Sequence, residues 1–159
     1  MSDPKVLGAT LAACIAFTAP TIRDLLVTRQ TKKNLIKILI VDVQARNKKI
    51  HDFLMPFQLS INKAKHDAEY IPWVSYQEGL EDHIDWKNEK WLMPKSLVGD
   101  IVDFYSDTKA VIGFVNSVNS KKYKELSRDR QIAMLCALMD DLKELNQKGT
   151  RLLSLLQAQ

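Results

Sequence analysis

Seventeen consecutive residues, Val6 to Ile22 (VLGATLAACIAFTAPTI), pass without a charge. A stretch of that kind has to leave water, into lipid, into a protein core, or by removal from the mature chain. At a rise of about 1.5 Å per residue it makes a helix of about 25 Å, short of a hydrocarbon core of about 30 Å. Continued through Arg23-Asp24 to Leu25-Leu26-Val27, the run becomes 22 residues long, with Arg23 placed to snorkel to the headgroups. Pro20 is tolerable in such a helix. A signal peptide needs a basic leader, and here Lys5 stands alone against Asp3. Leu11-Ala12-Ala13-Cys14 imitates a lipobox, yet it follows Lys5 too closely and runs on into Ile15-Ala16-Phe17. The favoured reading is a membrane anchor over residues 1–28. The rival reading is a first helix buried in a soluble core.

Orientation follows from the flanks. Arg23, Arg29, Lys32, Lys33 and Lys37 lie behind the apolar run and only Lys5 in front. The positive-inside rule then predicts a single pass through a bacterial inner (cytoplasmic) membrane, with the C-terminal domain in the cytoplasm. These five residues are the candidate membrane interface, each contributing about 1 kcal/mol of attraction to anionic lipid.

Residues 29–159 read as a helical domain. From Ile36 an apolar seam recurs at spacings of four and three through Ile40, Val43, Asn47, Ile50, Leu54, Phe57, Ile61, Ala64, Ala68 and Ile71, a heptad pattern with Asn47 as its polar exception. Pro56 lacks an N–H and its ring opposes the carbonyl of Asp52, which predicts a kink or stop near Met55. Residues 70–94 change texture: YIPWVSYQEGLEDHIDWKNEKWLMP holds Trp73, Trp86 and Trp91 among many acids. It reads as a structured connection, the tryptophans forming a lid over the bundle or an interaction surface. A second helix is signalled by Ser96 as cap and by Leu97, Ile101, Tyr105, Ile112 and Val115, with Val98, Val102 and Val111 widening the face. It is expected to end in Asn116 to Lys122. A third starts near Ser127 and carries Leu135, Leu138, Leu142, Leu145, Gly149, Leu152 and Leu156, where Gly149 suggests a close crossing. The expected fold is all-α: an N-terminal transmembrane helix running into an antiparallel cytoplasmic bundle of about three helices.

Charge comes in blocks that can pair inside such a fold. Arg23 to His66 holds ten Lys or Arg against three acids, Asp67 to Asp107 three against ten, and Thr108 to Gln159 nine against five. That pattern does not favour nucleic-acid binding, which calls for bases gathered on one face. Cys14 and Cys136 sit far apart in apolar stretches and read as small buried hydrophobes.

Several motifs fail on spacing. Lys37 to Asp42 and Asp52-Phe53-Leu54-Met55-Pro56 imitate a receiver domain, but ten residues between the aspartates cannot contain a crossover helix and further strands. Ile38 to Val41 is nonetheless β-branched enough for a strand. His51-Asp52, His66-Asp67 and Asp82-His83 imitate a helical HD-type metal hydrolase, yet neighbours on a helix diverge by about 100° and ligands must converge. Glu81, Asp82 and Asp85 have nothing to mark them as cation ligands. No GxGxxG, P-loop, GxSxG or HExxH occurs. The sequence therefore assigns no catalytic residue, metal ligand, cofactor or small-molecule substrate.

The order of apolar helix, basic stretch Arg29 to Lys37, long helix, YIPWVSY, LMPKSLVGDIVDFYSD and Leu-rich terminal helix resembles uncharacterised small bacterial proteins with one N-terminal membrane helix and a cytoplasmic helical domain. The resemblance implies that architecture and transfers no functional residues. The expected function is a non-enzymatic, membrane-anchored interaction module, an accessory subunit or small effector, whose partners are membrane lipid and a protein or a second copy of itself. The alternatives are a soluble helical metal-dependent hydrolase using His51, His66, Asp67 and an acid from the connection, and a basic nucleic-acid binder using Lys121, Lys122, Lys124, Arg128 and Arg130.

Overall fold

The computed structural model describes residues 4–70, 72, 74 and 93–159, with side chains from Leu26 onward. Four helices account for most of it: α1 Pro4–His66, α2 Val98–Val118, the single turn α3 Lys121–Lys124, and α4 Arg128–Gln157. No strand occurs among the described residues; Ile38 to Val41 lies inside α1.

The 63 residues of α1 run through residue 28, and through Pro56, as one helix. The stop predicted near Met55 does not occur. A proline removes one backbone bond and crowds one carbonyl, but Phe57, Ile61 and Ala64 beyond it are buried and Phe53 stacks on Phe57 with centroids 5.1 Å apart. Packing on both sides of the proline holds the helix together. The last turn carries Lys63, Lys65 and His66, basic residues that suit the negative helix end.

Three long helices share one core, but not in the expected alternation. Asn47 meets Thr150 while Arg128 meets Ala64, so α1 and α4 are antiparallel. Asp107 pairs with Lys148 while Asp100 pairs with Arg151, so α2 is antiparallel to α4 as well. It follows that α1 and α2 are parallel. A short loop can only reverse a helix, and residues 67–97 between α1 and α2 are long enough for a crossover.

The core is built from one face of each helix. On α4 the predicted positions Leu135, Leu138, Leu142, Leu145, Gly149, Leu152 and Leu156 are all buried. On α2 Leu97, Ile101, Tyr105, Val111 and Val115 are buried as expected, joined by Phe104, Thr108 and Val118, whereas Ile112 is half-buried and Val102 exposed. On α1 Val43, Ile50, Phe57, Ile61 and Ala64 follow the predicted seam. In its first turns Leu35 and Leu39 are buried in place of Ile36 and Ile40, which are half-buried, and Ala68 is exposed beyond the helix end. A straight helix drifts against a seven-residue repeat, which moves the buried edge by one position over a few turns.

The caps also differ from the sequence reading. Ser96 does not cap α2; the N-cap is Leu97, whose N–H bonds to Pro94 O at 2.9 Å in a preceding turn. Ser127 does stand at the N-cap of α4, without a side-chain bond. The cap with a bond is Ser120, which accepts from the Tyr123 N–H at 3.3 Å and starts α3. Tyr123 and Gln131 then bind reciprocally, the phenol donating to Gln131 O at 3.3 Å and Gln131 Nε2 to Tyr123 O at 3.1 Å. Cys136 is half-buried, not fully enclosed.

Candidate functional site

The bundle leaves residues 26–34 of α1 largely uncovered. Among the described side chains Leu35 is the first buried residue of the helix, and residues 26–34 are exposed apart from a half-buried Thr28. This arm is held by its own backbone and by short-range bonds, Thr31 Oγ1 to Val27 O at 2.9 Å and Gln30 Nε2 to Asn34 Oδ1 at 3.2 Å. Its charges are of one sign. Arg29, Lys32, Lys33 and Lys37 are all exposed, and no acid occurs from Leu25 to Val41. At about 100° per residue, Arg29, Lys33 and Lys37 follow one another in a stripe with Lys32 beside it. Ile22 lies about 20 Å along the helix beyond Leu35. The side chain of Arg23 and those of Val6 to Ile22 lie outside the described residues. Among the described residues no helix is long and apolar enough to cross a membrane.

Inside the bundle, Arg46 is 2% exposed. Its Nε donates to Asp42 Oδ2 at 2.8 Å, and its guanidinium lies 5.0 Å from the centroid of the Tyr105 ring. The Tyr105 hydroxyl donates to the same carboxylate oxygen. This grouping ties α1 to α2 with charge-assisted bonds, which a buried charge requires if it is to stay ionised.

The metal-hydrolase alternative finds no convergence. His51, Asp52, His66 and Asp67 are exposed, and the two histidines stand on one continuous helix about 22 Å apart. Among the described residues no three His, Cys, Asp or Glu come together in a way that holds a metal. Glu81, Asp82, His83 and Asp85 lie outside the described residues, as do Trp73, Trp86 and Trp91, the predicted lid or interaction surface.

The basic alternative at the far end of the bundle is divided. Lys121, Lys122, Lys124 and Arg130 are exposed beside Glu125 and Asp129. Arg128 is engaged in the fold: its Nη2 lies 2.5 Å from Ala64 O, 2.8 Å from Asp67 O and 2.8 Å from Tyr70 O, closing the carbonyl end of α1. A shallow cleft of about 170 Å³ between α2 and α4 is lined by Asp107, Val111, Asp141, Glu144 and Lys148. Lys148 bonds to Asp107 at 2.7 Å and Glu144 at 2.8 Å, which hold its ammonium charged above the ordinary lysine range. Those contacts join an acid of the negative block to a base of the C-terminal block, as does Arg151 with Asp100 at 3.7 Å.

The feature that sequence reasoning missed is the length of arm left free. The signal was present in Thr28 to Asn34, where polar residues occupy every position of two turns. No family model, curated protein or solved structure matches this chain.

Proposed function

We propose that this chain is a non-enzymatic, membrane-anchored interaction module, whose bundle is carried on a helical stalk and held at an anionic membrane surface by Arg23, Arg29, Lys32, Lys33 and Lys37. The single observation that supports the reading is the overhang of α1. Among the described side chains the core begins at Leu35, and the uncharged stretch continues the same helix about 20 Å further out. Lipid is the solvent that suits it. The exposed Arg29, Lys32 and Lys33 on the intervening arm, with Lys37 just behind it, would meet phosphate headgroups, and the charge bias supports a cytoplasmic bundle in a bacterial cell.

Fractionation of the untagged chain tests this. It is expected in the membrane pellet through alkaline and high-salt washes and in the supernatant after detergent. A fusion of residues 1–28 to a soluble reporter is expected to pellet. A reporter that stays in the supernatant overturns the reading.

A further inference from the structure

We propose that α1 pairs in parallel with α1 of a second copy of this chain, through the face that it turns away from the bundle between Val27 and Ala45. The parallel sense rests on the anchor reading above, which puts both N-termini in one bilayer.

α1 carries two seams. One faces the core through Leu39, Val43, Arg46 and Ile50. The other, spaced alternately by four and three, runs through Val27, Thr31, Asn34, Ile38, Val41 and Ala45, then Lys48, Asp52, Met55 and Leu59, and every one of these residues is exposed. Val27 is 58% exposed, Ile38 54% and Val41 67%. Strict four-three spacing is the stripe that a two-stranded coiled coil buries. The first six positions are uncharged, which is unusual for a surface that meets only water.

The charges agree with a parallel partner. In heptad terms Val27, Asn34 and Val41 take position d, and Thr31, Ile38 and Ala45 position a. Arg29, Lys32 and Lys33 then fall at the outer positions f, b and c, where two copies keep them apart. Lys37 falls at g, facing position e of the partner helix, which is Asp42. The Asp42 oxygen that binds Arg46 and Tyr105 is Oδ2, so among the described residues' bonds Oδ1 is the oxygen that would accept from the second copy's Lys37. Two-fold symmetry makes this pair twice. After Ala45 a parallel partner sets Lys48 against Lys48 and Asp52 against Asp52, and the close contact ends there. An antiparallel partner centred on residue 50 would instead align Lys48 with Asp52 but leave Val27 and Thr31 beyond the end of the partner's α1. With only Val27, Ile38 and Val41 as large apolar anchors the pairing is weak in solution. Anchoring two copies in one bilayer supplies the local concentration it needs.

Single cysteines placed in a full-length chain carrying Cys14→Ala and Cys136→Ala test the proposal by oxidative crosslinking in membranes. Asn34→Cys, Ile38→Cys and Val41→Cys each face their own symmetry mate and are expected to give several-fold more disulfide dimer than Arg29→Cys and Lys32→Cys on the outer face. Adding Ile38→Glu to Asn34→Cys is expected to abolish that dimer while leaving the melting temperature unchanged, since Ile38 lies outside the core. Equal yields at all five positions, no yield at the seam, or crosslinks only between Val41→Cys and Leu59→Cys would each overturn it. Fractionating the same samples separates the two readings. A chain that pellets without seam crosslinks removes the pairing and keeps the anchor; one in the supernatant that still crosslinks removes the anchor and keeps the pairing; one in the supernatant without crosslinks removes both.

Discussion

Asn47 occupies the space that a side chain at residue 149 would need: a Cβ built on Gly149 stands 2.5 Å from Asn47 Oδ1 and 3.0 Å from Phe104 Cε2. The absence of that carbon lets α1 and α4 approach closely enough for Asn47 Nδ2 to donate to Thr150 Oγ1 at 3.0 Å. Alanine gains about 1 kcal/mol of helix propensity over glycine, against an overpacking loss of about 1–3 kcal/mol. Gly149→Ala is therefore expected to lower the urea midpoint, by about 1 kcal/mol net in stability. In an Asn47→Ala background the same substitution should be neutral or stabilising. An equal loss in both backgrounds would mean that the two residues do not compete.

Arg128 closes the end of α1 from another helix. Removing its guanidinium in Arg128→Met leaves the carbonyls of Ala64, Asp67 and Tyr70 without this donor, and the expected loss is about 2 kcal/mol. Hydrogen exchange should quicken in residues 64–70 before it does so in the rest of α1. Arg128→Lys should recover only part, since the lysine stem does not carry its ammonium to the position where Arg128 Nη2 meets all three carbonyls. Uniform exchange along α1 in Arg128→Met would refute the capping role.

The Asp42–Arg46 ion pair of α1, tied to α2 through Tyr105, makes a prediction about asymmetry. Asp42→Ala removes a carboxylate partner of the buried Arg46 charge and an acceptor of the Tyr105 hydroxyl, with an expected loss of about 2–3 kcal/mol. Adding Arg46→Met should restore part of the stability, because an apolar chain has no charge to compensate. Additive losses in the double variant, measured by denaturant titration, would show that Arg46 does not depend on Asp42.

Burial pushes the Tyr123 phenol above its ordinary range, opposed in part by the positive charge of Arg128. Above about pH 10 the unfolded chain then releases this proton before the folded one does, so stability falls as pH rises. Lys148, held charged by Asp107 and Glu144, acts in the same direction. The melting temperature should decline above about pH 10, and less steeply in Tyr123→Phe. Parallel declines in the two proteins would show that the phenol stays solvated in the fold.

Where one apolar face was buried along its whole length, the sequence was readable. The Leu-rich stripe of α4 is regular, and its single glycine pointed to a close crossing, which the structure shows to be with Asn47. Local signals failed where tertiary packing outweighed them. Pro56 argues for a break, but Phe53, Phe57 and Ile61 bind the helix across it. Ser96 argues for a cap, but the turn from Pro94 starts α2 later. Chain direction was illegible too, because a seam says which face is buried and nothing about which way its neighbour runs. The Asp42–Arg46–Tyr105 grouping could not be found either, since Tyr105 on α2 lies 59 residues from Arg46 and 63 from Asp42 in the sequence.

Because α1 is a single rod from Pro4 to His66, its two ends are locked in phase. One residue inserted into the arm between Arg29 and Asn34 would lift the bundle by about 1.5 Å and swing it through about 100° of azimuth. Seven would raise it by nearly the same bearing at which it began. Whatever the bundle touches thus has its height and compass direction written into the number of residues in the stalk.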